Sequence, residues 1–311
     1  MNREFFDIVE FKIAEYSRDC DEEVKAASSD GIVVPPEASG DVLRRKRRDE
    51  KLKDTDLWTE ERKQAAEEEL SAQGAGVSEH WRKHYVDRAG QFWHEFYKRN
   101  SDKFYKDRHY LHEEFPELLT CSTLLEVGCG VGNAVVPLYE LHPKITVYAV
   151  DFAKSAIEIL QKHPIHANFP GQLLVSQCDV VNDDLPTREN QCDLVLCLFV
   201  LSAMSPENMP RAVKKLYTTL RPGGKILVRD YGQYDQAQMR FKKGSKLSDS
   251  FYVRQDSTCS YFFSLEFLDS LLCAAGFHAL PERCENICKV QENRAQGICR
   301  HRVWVQAVYE K

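Results

Sequence analysis

Residues 125–134 read LEVGCGVGNA, with glycines at positions 128, 130 and 132 directly after a short apolar segment. Glycine tolerates a positive φ, and it lets a ligand approach the backbone where a following helix offers free N–H groups. This pattern predicts a strand, a glycine loop that cradles a ligand, and then a helix.

Apolar and helical segments alternate from about residue 121 onward. Five segments predict strands: TLLEVG, TVYAVDF, QLLVSQCD, CDLVLCLFV and GKILVRDY. The segments NAVVPLYELHP, SAIEILQKHP and MPRAVKKLYTTLRPGG predict the helices between them, with LRPGG as the exit turn. Such a βαβ series indicates a parallel sheet covered on both faces. YFFSLEFLDSLLCAAGF predicts a helix closed by Gly276, and HRVWVQAVYEK a final strand.

The spacing of the glycines separates two classes of ligand. A dinucleotide loop has its third glycine where this chain has Asn133, so G-x-G-x-G favours the shorter S-adenosylmethionine loop. Asp151 ends the next strand, where a carboxylate accepts hydrogen bonds from ribose hydroxyls. Asp179 ends the third strand, within reach of an adenine amino group. Each aspartate alone is also explained as a helix cap or turn residue.

The composition divides the chain into three regions. Residues 1–78 are polar, and SSDGIVVPPEASGD and WTEERKQAAEEELSAQ predict a partly disordered, partly helical region. Residues 79–118 form an aromatic and basic helical cap, and residues 119–311 the α/β domain. The aromatic side chains of the cap recur at near-helical spacing: Trp81, Tyr85, Phe92 and Phe96. They either pack on the neighbouring domain or, with the interleaved cations, stack on a base and grip its backbone.

Charge, hydropathy and cysteine content indicate the cellular compartment of the protein. The chain has 311 residues and a formal charge of −6, and it lacks the apolar run of about 18 residues that crosses a bilayer. No secretory signal opens it, and the eleven cysteines have no framework spacing, which predicts reduced thiols in the cytoplasm. The RRKRR run at 44–48 indicates a solvated surface, a nuclear address or an RNA phosphate contact.

A metal site is not expected. Cys284, Cys288, Cys299 and His301 are ligand-type residues, but C-x3-C followed ten residues later by C-x-H is poor zinc spacing.

Six segments together resemble the eukaryotic tRNA 3-methylcytidine methyltransferases. They are FWHEFYKRNSDKFYKDRHYL, LEVGCGVGN, LFVLSA, LVRDYGQYD, RFKKGSKLSDSFYVRQDST and YFF, and the resemblance extends over nearly all of the chain from Trp81. It implies a class I methyltransferase (Rossmann-like) fold, with a seven-stranded mostly parallel sheet, an antiparallel final hairpin and an N-terminal helical RNA-binding extension. It also implies methyl transfer from S-adenosylmethionine to N3 of cytidine 32 in the tRNA anticodon loop.

The resemblance assigns residues to both ligands. The implied cofactor contacts are Trp93, Tyr97, Arg108, Gly128, Gly130, Gly132, Asp151, Asp179 and Leu198. The implied RNA contacts are Phe104, Arg240, Lys242, Lys243 and Arg254, with Lys246 nearby, although a solvated loop explains these lysines equally well. The chain departs from the pattern at Tyr105 and Tyr110, which replace phenylalanine and tryptophan, and at Ser257, which alters a loop ending in RQDST.

The chemistry gives roles to three residues at the reaction centre. N3 of neutral cytosine has an in-plane lone pair, so it attacks a sulfonium methyl without a strong base, and orientation dominates the barrier. The methylated base is cationic, and a carboxylate beside its amino group stabilises it. Asp230 is the candidate, with an ion pair to Arg229 as the alternative explanation of its charge. Arg108 and Arg254 are expected to donate hydrogen bonds to the cytosine carbonyl or to a flanking phosphate. Tyr231 or Phe104 is expected to stack on the flipped base.

The sequence leaves several choices open. WTEE at residue 58 and the final HRVWVQ favour threonine or arginine tRNA, whereas SKL and FYVRQD are closer to the serine branch. A partner of the seryl-tRNA synthetase or anticodon-binding-like type is known for some relatives. A methyltransferase of a small molecule or protein, and a noncatalytic RNA-binding subunit, are the alternative functions.

Overall fold

The predicted strand segments form one central sheet in the computed structural model. They are β1 (Thr123–Val127), β2 (Thr146–Asp151), β3 (Leu173–Gln177), β4 (Cys192–Leu198) and β5 (Leu220–Tyr231). Their mutual pairings are parallel, and the long β10 (Glu285–Asn293) and β11 (Ile298–Glu310) add an antiparallel hairpin beside β5. The strand order is β10-β11-β5-β4-β1-β2-β3, and a two-residue β9 (His278–Ala279) pairs with β11. The predicted seven-stranded sheet with its final hairpin is confirmed, with β9 as a short addition.

The structure describes residues 59–74, 76–102, 104–242, 244–293 and 298–311. They lie in the unit Asp54–Lys311, while the unit Met1–Lys53, including the RRKRR run, lies outside the described residues. Lys243 and Trp58 also lie outside them. In the described part of the chain, no helix is both long and apolar enough to cross a bilayer. Nor does that part gather three His, Cys, Asp or Glu side chains suited to a metal ion.

Helices cover both faces of the sheet, and further helices precede β1 in the chain. The described residues contain α1 (Glu60–Ala72), α2 (Glu79–Asp87), α3 (Ala89–Asn100), α4 (Leu111–Glu114), α5 (Val135–Leu141), α6 (Lys154–Lys162), α7 (Pro164–Asn168), α8 (Met209–Thr219), α9 (Gln236–Met239) and α10 (Leu265–Ala275). Strand residues such as Leu124, Leu125 and Val195 are fully buried, which explains the continuous apolar runs of a sheet covered on both sides. Gly276 closes α10 as predicted, in the left-handed conformation at φ 108°. LRPGG, predicted as a turn, instead starts β5.

A second, three-stranded antiparallel sheet was not predicted. It consists of β6 (Lys246–Ser248), β7 (Phe251–Val253) and β8 (Cys259–Tyr261), within the segment that a solvated loop would also explain. Lys246 lies in β6, and its Nζ is 2.9 Å from Asp249 Oδ1. Ser257 adopts φ 69°, a left-handed turn conformation that glycine takes without strain. Strands of three residues are too short to show a two-residue period, so the pattern gave no signal.

The segment before the cap is attached to this small sheet. Tyr252 on β7 donates from its hydroxyl to Gln73 Oε1 at 3.2 Å, and Val77 N donates to the carbonyl of Lys246 at 2.9 Å. A Cβ on Gly76 would lie 2.5 Å from that same carbonyl oxygen, so only glycine fits there. Contacts of Gln73, Gly76 and Val77 therefore attach this segment to β6 and β7.

Candidate active site

A cavity of about 670 Å³ opens where the parallel strands end. It lies between the glycine loop after β1, the ends of β2 to β4, and the junction of α2 and α3. The carboxyl ends of the strands are where open α/β sheets bind their ligands, and the volume suits a drug-sized ligand. Five of the nine predicted cofactor contacts line it: Trp93, Tyr97, Gly128, Asp151 and Asp179.

The glycine loop has a conformation that other residues resist. Gly128, Gly130 and Gly132 have φ values of 66°, 54° and 95°. A Cβ on Gly128 would collide with Val200, and a Cβ on Gly130 would lie 2.7 Å from the Tyr97 hydroxyl. Backbone conformation and close packing therefore both require glycine, and the loop presents bare backbone to the cavity.

Asp151 connects the loop to the end of β2. Its Oδ2 accepts from Gly130 N at 2.9 Å, and its Oδ1 accepts from Ala153 N at 2.8 Å. Burial raises the pKa of this carboxyl to about 6, against the lowering effect of the two N–H donors. The side chain is thus a carboxylate at neutral pH, fixed at the cavity wall with acceptor capacity remaining on each oxygen.

Asp179 lies two residues beyond the end of β3 rather than at the end itself, because β3 stops at Gln177. Its Oδ1 accepts from Val181 N at 2.9 Å, and its Oδ2 accepts from Asn182 Nδ2 at 2.7 Å. Asp179 therefore forms the turn that the alternative explanation required, and it also lines the cavity.

Helix α3 supplies an aromatic wall with an unpaired donor. Trp93 and Tyr97 are one helical turn apart and both buried, with ring centroids separated by 6.1 Å. Trp93 Nε1 is buried without a hydrogen-bond partner. A buried donor of this kind is costly unless a ligand or water satisfies it, so the atom indicates where an acceptor binds.

Four predicted cofactor contacts lie beside the cavity rather than on its wall. Leu198 packs in the core, and the next two residues, Phe199 and Val200, line the cavity instead. Gly130 and Gly132 face Tyr97 and Leu160. Arg108 lies with its guanidinium carbon 5.0 Å from the Phe199 ring centroid, and its Nη1 is buried without a partner.

Asp230 is fully buried one layer behind the cavity wall. Its Oδ2 accepts from Ser202 N at 3.0 Å, and its Oδ1 accepts from Tyr231 N at 2.9 Å. Ser202 immediately precedes Ala203, which lines the cavity. Burial raises the pKa of Asp230 to about 6, while the N–H donors and Arg254 oppose that rise.

The ion pair of Asp230 with Arg229, considered as an alternative, is wrong. Successive side chains of a strand point to opposite faces, and Arg229 points away from Asp230. Its Nη2 lies 3.2 Å from Glu114 Oε2 on α4. The buried carboxylate of Asp230 is therefore held mainly by backbone N–H groups.

Tyr231 and Arg254 meet at the end of β5. The Arg254 guanidinium lies 5.3 Å from the Tyr231 ring centroid, and its Nη2 donates to Ser260 Oγ at 3.0 Å. The Tyr231 ring lies 5.0 Å from that of Phe199. The predicted reaction-centre residues thus converge beside the cavity, although they come from separate elements.

Of the predicted RNA contacts that the structure describes, three are exposed and Arg254 is partly buried. Phe104 is 46% exposed, with its ring centroid 4.8 Å from that of Phe96 and of Tyr105. Arg240 at the end of α9 is exposed, as is Lys242. Phe104 follows α3 in the chain and packs on Phe96 of that helix, which also carries Trp93 and Tyr97.

Glu126 on β1 is a buried group that the sequence prediction missed. Only 4% of it is exposed, and its Oε2 has no hydrogen-bond partner. Burial raises the pKa of Glu126 to about 8, with Arg108 opposing the rise and Asp151 adding to it. An acidic residue inside the apolar run TLLEVG was the available signal.

We expect Glu126→Gln to remove a pH dependence of stability. A carboxyl whose pKa is raised on folding contributes stability below its unfolded pKa and loses it as pH rises through the folded value. The melting temperature of the cofactor-free protein should therefore fall between about pH 6 and about pH 8, below the folded pKa of Glu126 and above those of Asp151 and Asp230, with a free-energy change on the order of 2 to 3 kcal/mol. The melting temperature of the Gln variant should not change with pH in that range, and at the upper end it should exceed that of the wild-type protein.

Calorimetric melting across this pH range is the measurement, with Glu158→Gln on the exposed surface of α6 as the control that keeps the wild-type dependence. An unchanged pH dependence in Glu126→Gln would contradict the assignment.

Comparison with known proteins agrees with the fold. A family model described as a methyltransferase domain matches residues 91–282. A solved structure concerning the conversion of a disulfide bond into a thioacetal group during echinomycin biosynthesis aligns with a TM-score of 0.52 at 15% identity. The alignment covers 71% of this chain and 92% of that one, and it shows the same fold.

Two sequence relatives identify the branch. The tRNA N(3)-cytidine methyltransferase METTL6 of Homo sapiens is 40% identical over an alignment of 254 residues that covers 79% of this chain and 88% of that protein. The tRNA N(3)-methylcytidine methyltransferase Mettl2 of Drosophila melanogaster is 37% identical over 266 residues, with 82% and 81% covered. The chain therefore belongs to the tRNA N(3)-cytidine methyltransferase family, within the class I S-adenosylmethionine-dependent methyltransferases.

Proposed function

We propose that this protein transfers a methyl group from S-adenosylmethionine to N3 of cytidine 32 in the anticodon loop of tRNA, with threonine and arginine tRNAs as the favoured substrates. The observation that carries the proposal is the cavity at the strand ends, whose lining residue Phe199 contacts Tyr231. The chain that contains this cavity is 40% identical to a tRNA N(3)-cytidine methyltransferase. Family membership supports the reaction class, and the cavity supports a cofactor of this size.

The residues around the cavity fit S-adenosylmethionine. The unpaired Trp93 Nε1 offers a donor, and bare backbone at Gly128 allows close approach. Asp151 has carboxylate acceptors suited to the ribose hydroxyls, and Asp179 suits the adenine amino group. When bound, the cofactor supplies an electrophilic methyl group on a sulfonium.

The chain's own residues orient and stabilise the base. Tyr231 offers a ring for stacking on an extruded cytosine, and Phe104 offers a second ring at the exposed edge. Arg254 and Arg108 offer donors to the cytosine carbonyl or a flanking phosphate. Asp230 supplies a negative charge behind the cavity wall that stabilises the positive charge developing on the ring. No strong base is required, because N3 of neutral cytosine carries a free lone pair.

Exposed cations in two segments, together with the exposed ring of Phe104, support RNA as the substrate. Lys98 and Arg99 are exposed at the end of α3, and Arg240 and Lys242 are exposed after α9. Cations beside an exposed aromatic ring suit the backbone and bases of a single-stranded loop. We further propose a cytoplasmic location, with the nucleus as a second one, and cooperation with an accessory protein of the seryl-tRNA synthetase or anticodon-binding-like type.

A methylation assay tests the proposal. Purified protein is incubated with labelled S-adenosylmethionine and transcripts of threonine, arginine and serine tRNA, and the digested nucleosides are identified by mass spectrometry. We expect 3-methylcytidine in threonine or arginine tRNA, and its loss in the matched transcript in which cytidine 32 is replaced by uridine. The assay is repeated with seryl-tRNA synthetase present, because the proposal includes an accessory protein of this type. Methylation of a different nucleotide, or of serine tRNA alone, would reject the stated substrate.

A further inference from the structure

Phe199 occupies an unusual backbone position at the boundary of the two halves of the site. It follows β4 directly, and its φ is 58°, in the left-handed region that bulky residues rarely adopt. Its N–H donates to the carbonyl of Arg229 at 2.8 Å, which fixes this conformation against β5. A bulky side chain held in a sparsely populated conformation points to a functional role.

The Phe199 ring lies between a cation and a second ring. The guanidinium carbon of Arg108 is 5.0 Å from its centroid, and the centroid of Tyr231 is also 5.0 Å away. Arg254 lies on Tyr231 at 5.3 Å, so the four side chains form a row of cation, ring, ring and cation. Phe199 is the member of the row that also lines the cavity.

The guanidinium at the first end of this row has an unused donor. Arg108 Nη1 is buried without a hydrogen-bond partner, so its position depends on packing and on the ring face. The face of an aromatic ring attracts a cation, and the attraction is larger where both are desolvated.

We propose that Phe199 is a positioning residue whose ring face holds the Arg108 guanidinium toward the ligand cavity and, through Tyr231, aligns the cofactor side of the site with the base side. This inference rests on the proposed function, and it takes Arg108 in the cofactor-contact role that the family resemblance implies. It adds a residue that the sequence motifs had assigned no role. Through Arg108, Phe199 affects binding of the ligand without itself supplying a polar contact.

A fluorination series at position 199 separates this role from simple packing. Site-specific incorporation of 4-fluoro-, 3,5-difluoro- and 3,4,5-trifluorophenylalanine withdraws electron density from the ring face while nearly preserving its shape. We expect the dissociation constant of S-adenosylhomocysteine, measured by calorimetry, to rise stepwise to a total of about 3- to 10-fold. The same series at Phe169, whose ring stacks on Tyr139 at 4.3 Å, should leave the constant unchanged.

The dependence should disappear in an Arg108→Gln background and persist in an Arg254→Gln background. An affinity that ignores fluorination, or a dependence that survives loss of Arg108, overturns the inference. Phe199→Leu provides a second check, because it should weaken binding at least as much as the trifluoro variant while its melting temperature shows that the protein is folded. Failure of the proposed function is distinguishable, because it would appear as absent tRNA methylation by the wild-type protein.

Discussion

Replacing Asp230 by asparagine is expected to slow methyl transfer by about 100- to 1000-fold while the cofactor still binds. The amide preserves the shape of the side chain but loses the negative charge that stabilises the methylated, cationic base. Single-turnover methylation of tRNA at neutral pH, with calorimetric titration of S-adenosylhomocysteine alongside, measures both quantities. Because the pKa of Asp230 is raised to about 6, the wild-type rate should also fall as pH drops through that value.

The control for Asp230 is Asp193, a carboxylate that also accepts hydrogen bonds from backbone N–H groups. It lies near the amino end of β4, whereas the cavity lies at the carboxyl ends of the strands. Asp193 Oδ2 accepts from Ser122 N at 2.7 Å and from Thr123 N at 2.9 Å. Asp193→Asn should lower stability and leave the single-turnover rate unchanged. If Asp230→Asn behaves in the same way, Asp230 has a structural role and the charge-stabilising role is excluded.

Gly128→Ala is expected to weaken S-adenosylmethionine binding by about 30- to 1000-fold. The residue has a φ of 66°, and an added Cβ would collide with the Val200 side chain on the cavity wall. The loop must shift to relieve both effects, and the cavity changes shape with it. Calorimetric titration of the purified variant measures the loss.

Gly171→Ala is the matched control. Gly171 has a similar φ of 76°, but nothing lies within 4 Å of an added Cβ. Gly171→Ala should lower the free energy of unfolding by only about 1 to 2 kcal/mol, because alanine is disfavoured in the left-handed backbone conformation. Its cofactor affinity should equal that of the wild-type protein. Wild-type affinity in Gly128→Ala would show that the loop does not form the cofactor wall.

The architecture was predictable because its signals are local and strong. Continuous apolar runs of four to eight residues mark strands buried on both faces, and the glycine loop after β1 marks the strand ends as the binding edge. Asp151 was assigned to the ligand from its place at the end of the second strand, whereas Trp93 and Tyr97 were assigned through the family resemblance; all three line the cavity. Gly276 closed α10 for the simple reason that the left-handed conformation favours glycine.

The remainder depends on tertiary contacts that leave no pattern in the sequence. Strands β6 to β8 have three residues each and pair through neighbours rather than through their own periodicity. The direction of Arg229 follows from strand alternation, but its partner Glu114 comes from a distant helix. The positive φ of Phe199 occurs in a residue type that carries no turn preference, so its place between Arg108 and Tyr231 becomes visible only in three dimensions.

The central claim is that the cavity at the strand ends binds S-adenosylmethionine beside the site that receives the base. Calorimetric titration of the wild-type protein with S-adenosylmethionine, with and without a tRNA transcript, tests it most directly. We predict saturable binding at one site per chain, weakened by about 30- to 1000-fold in Gly128→Ala and retained in Gly171→Ala. Absence of binding heat at several temperatures, with the transcript present and the protein folded, would contradict the claim.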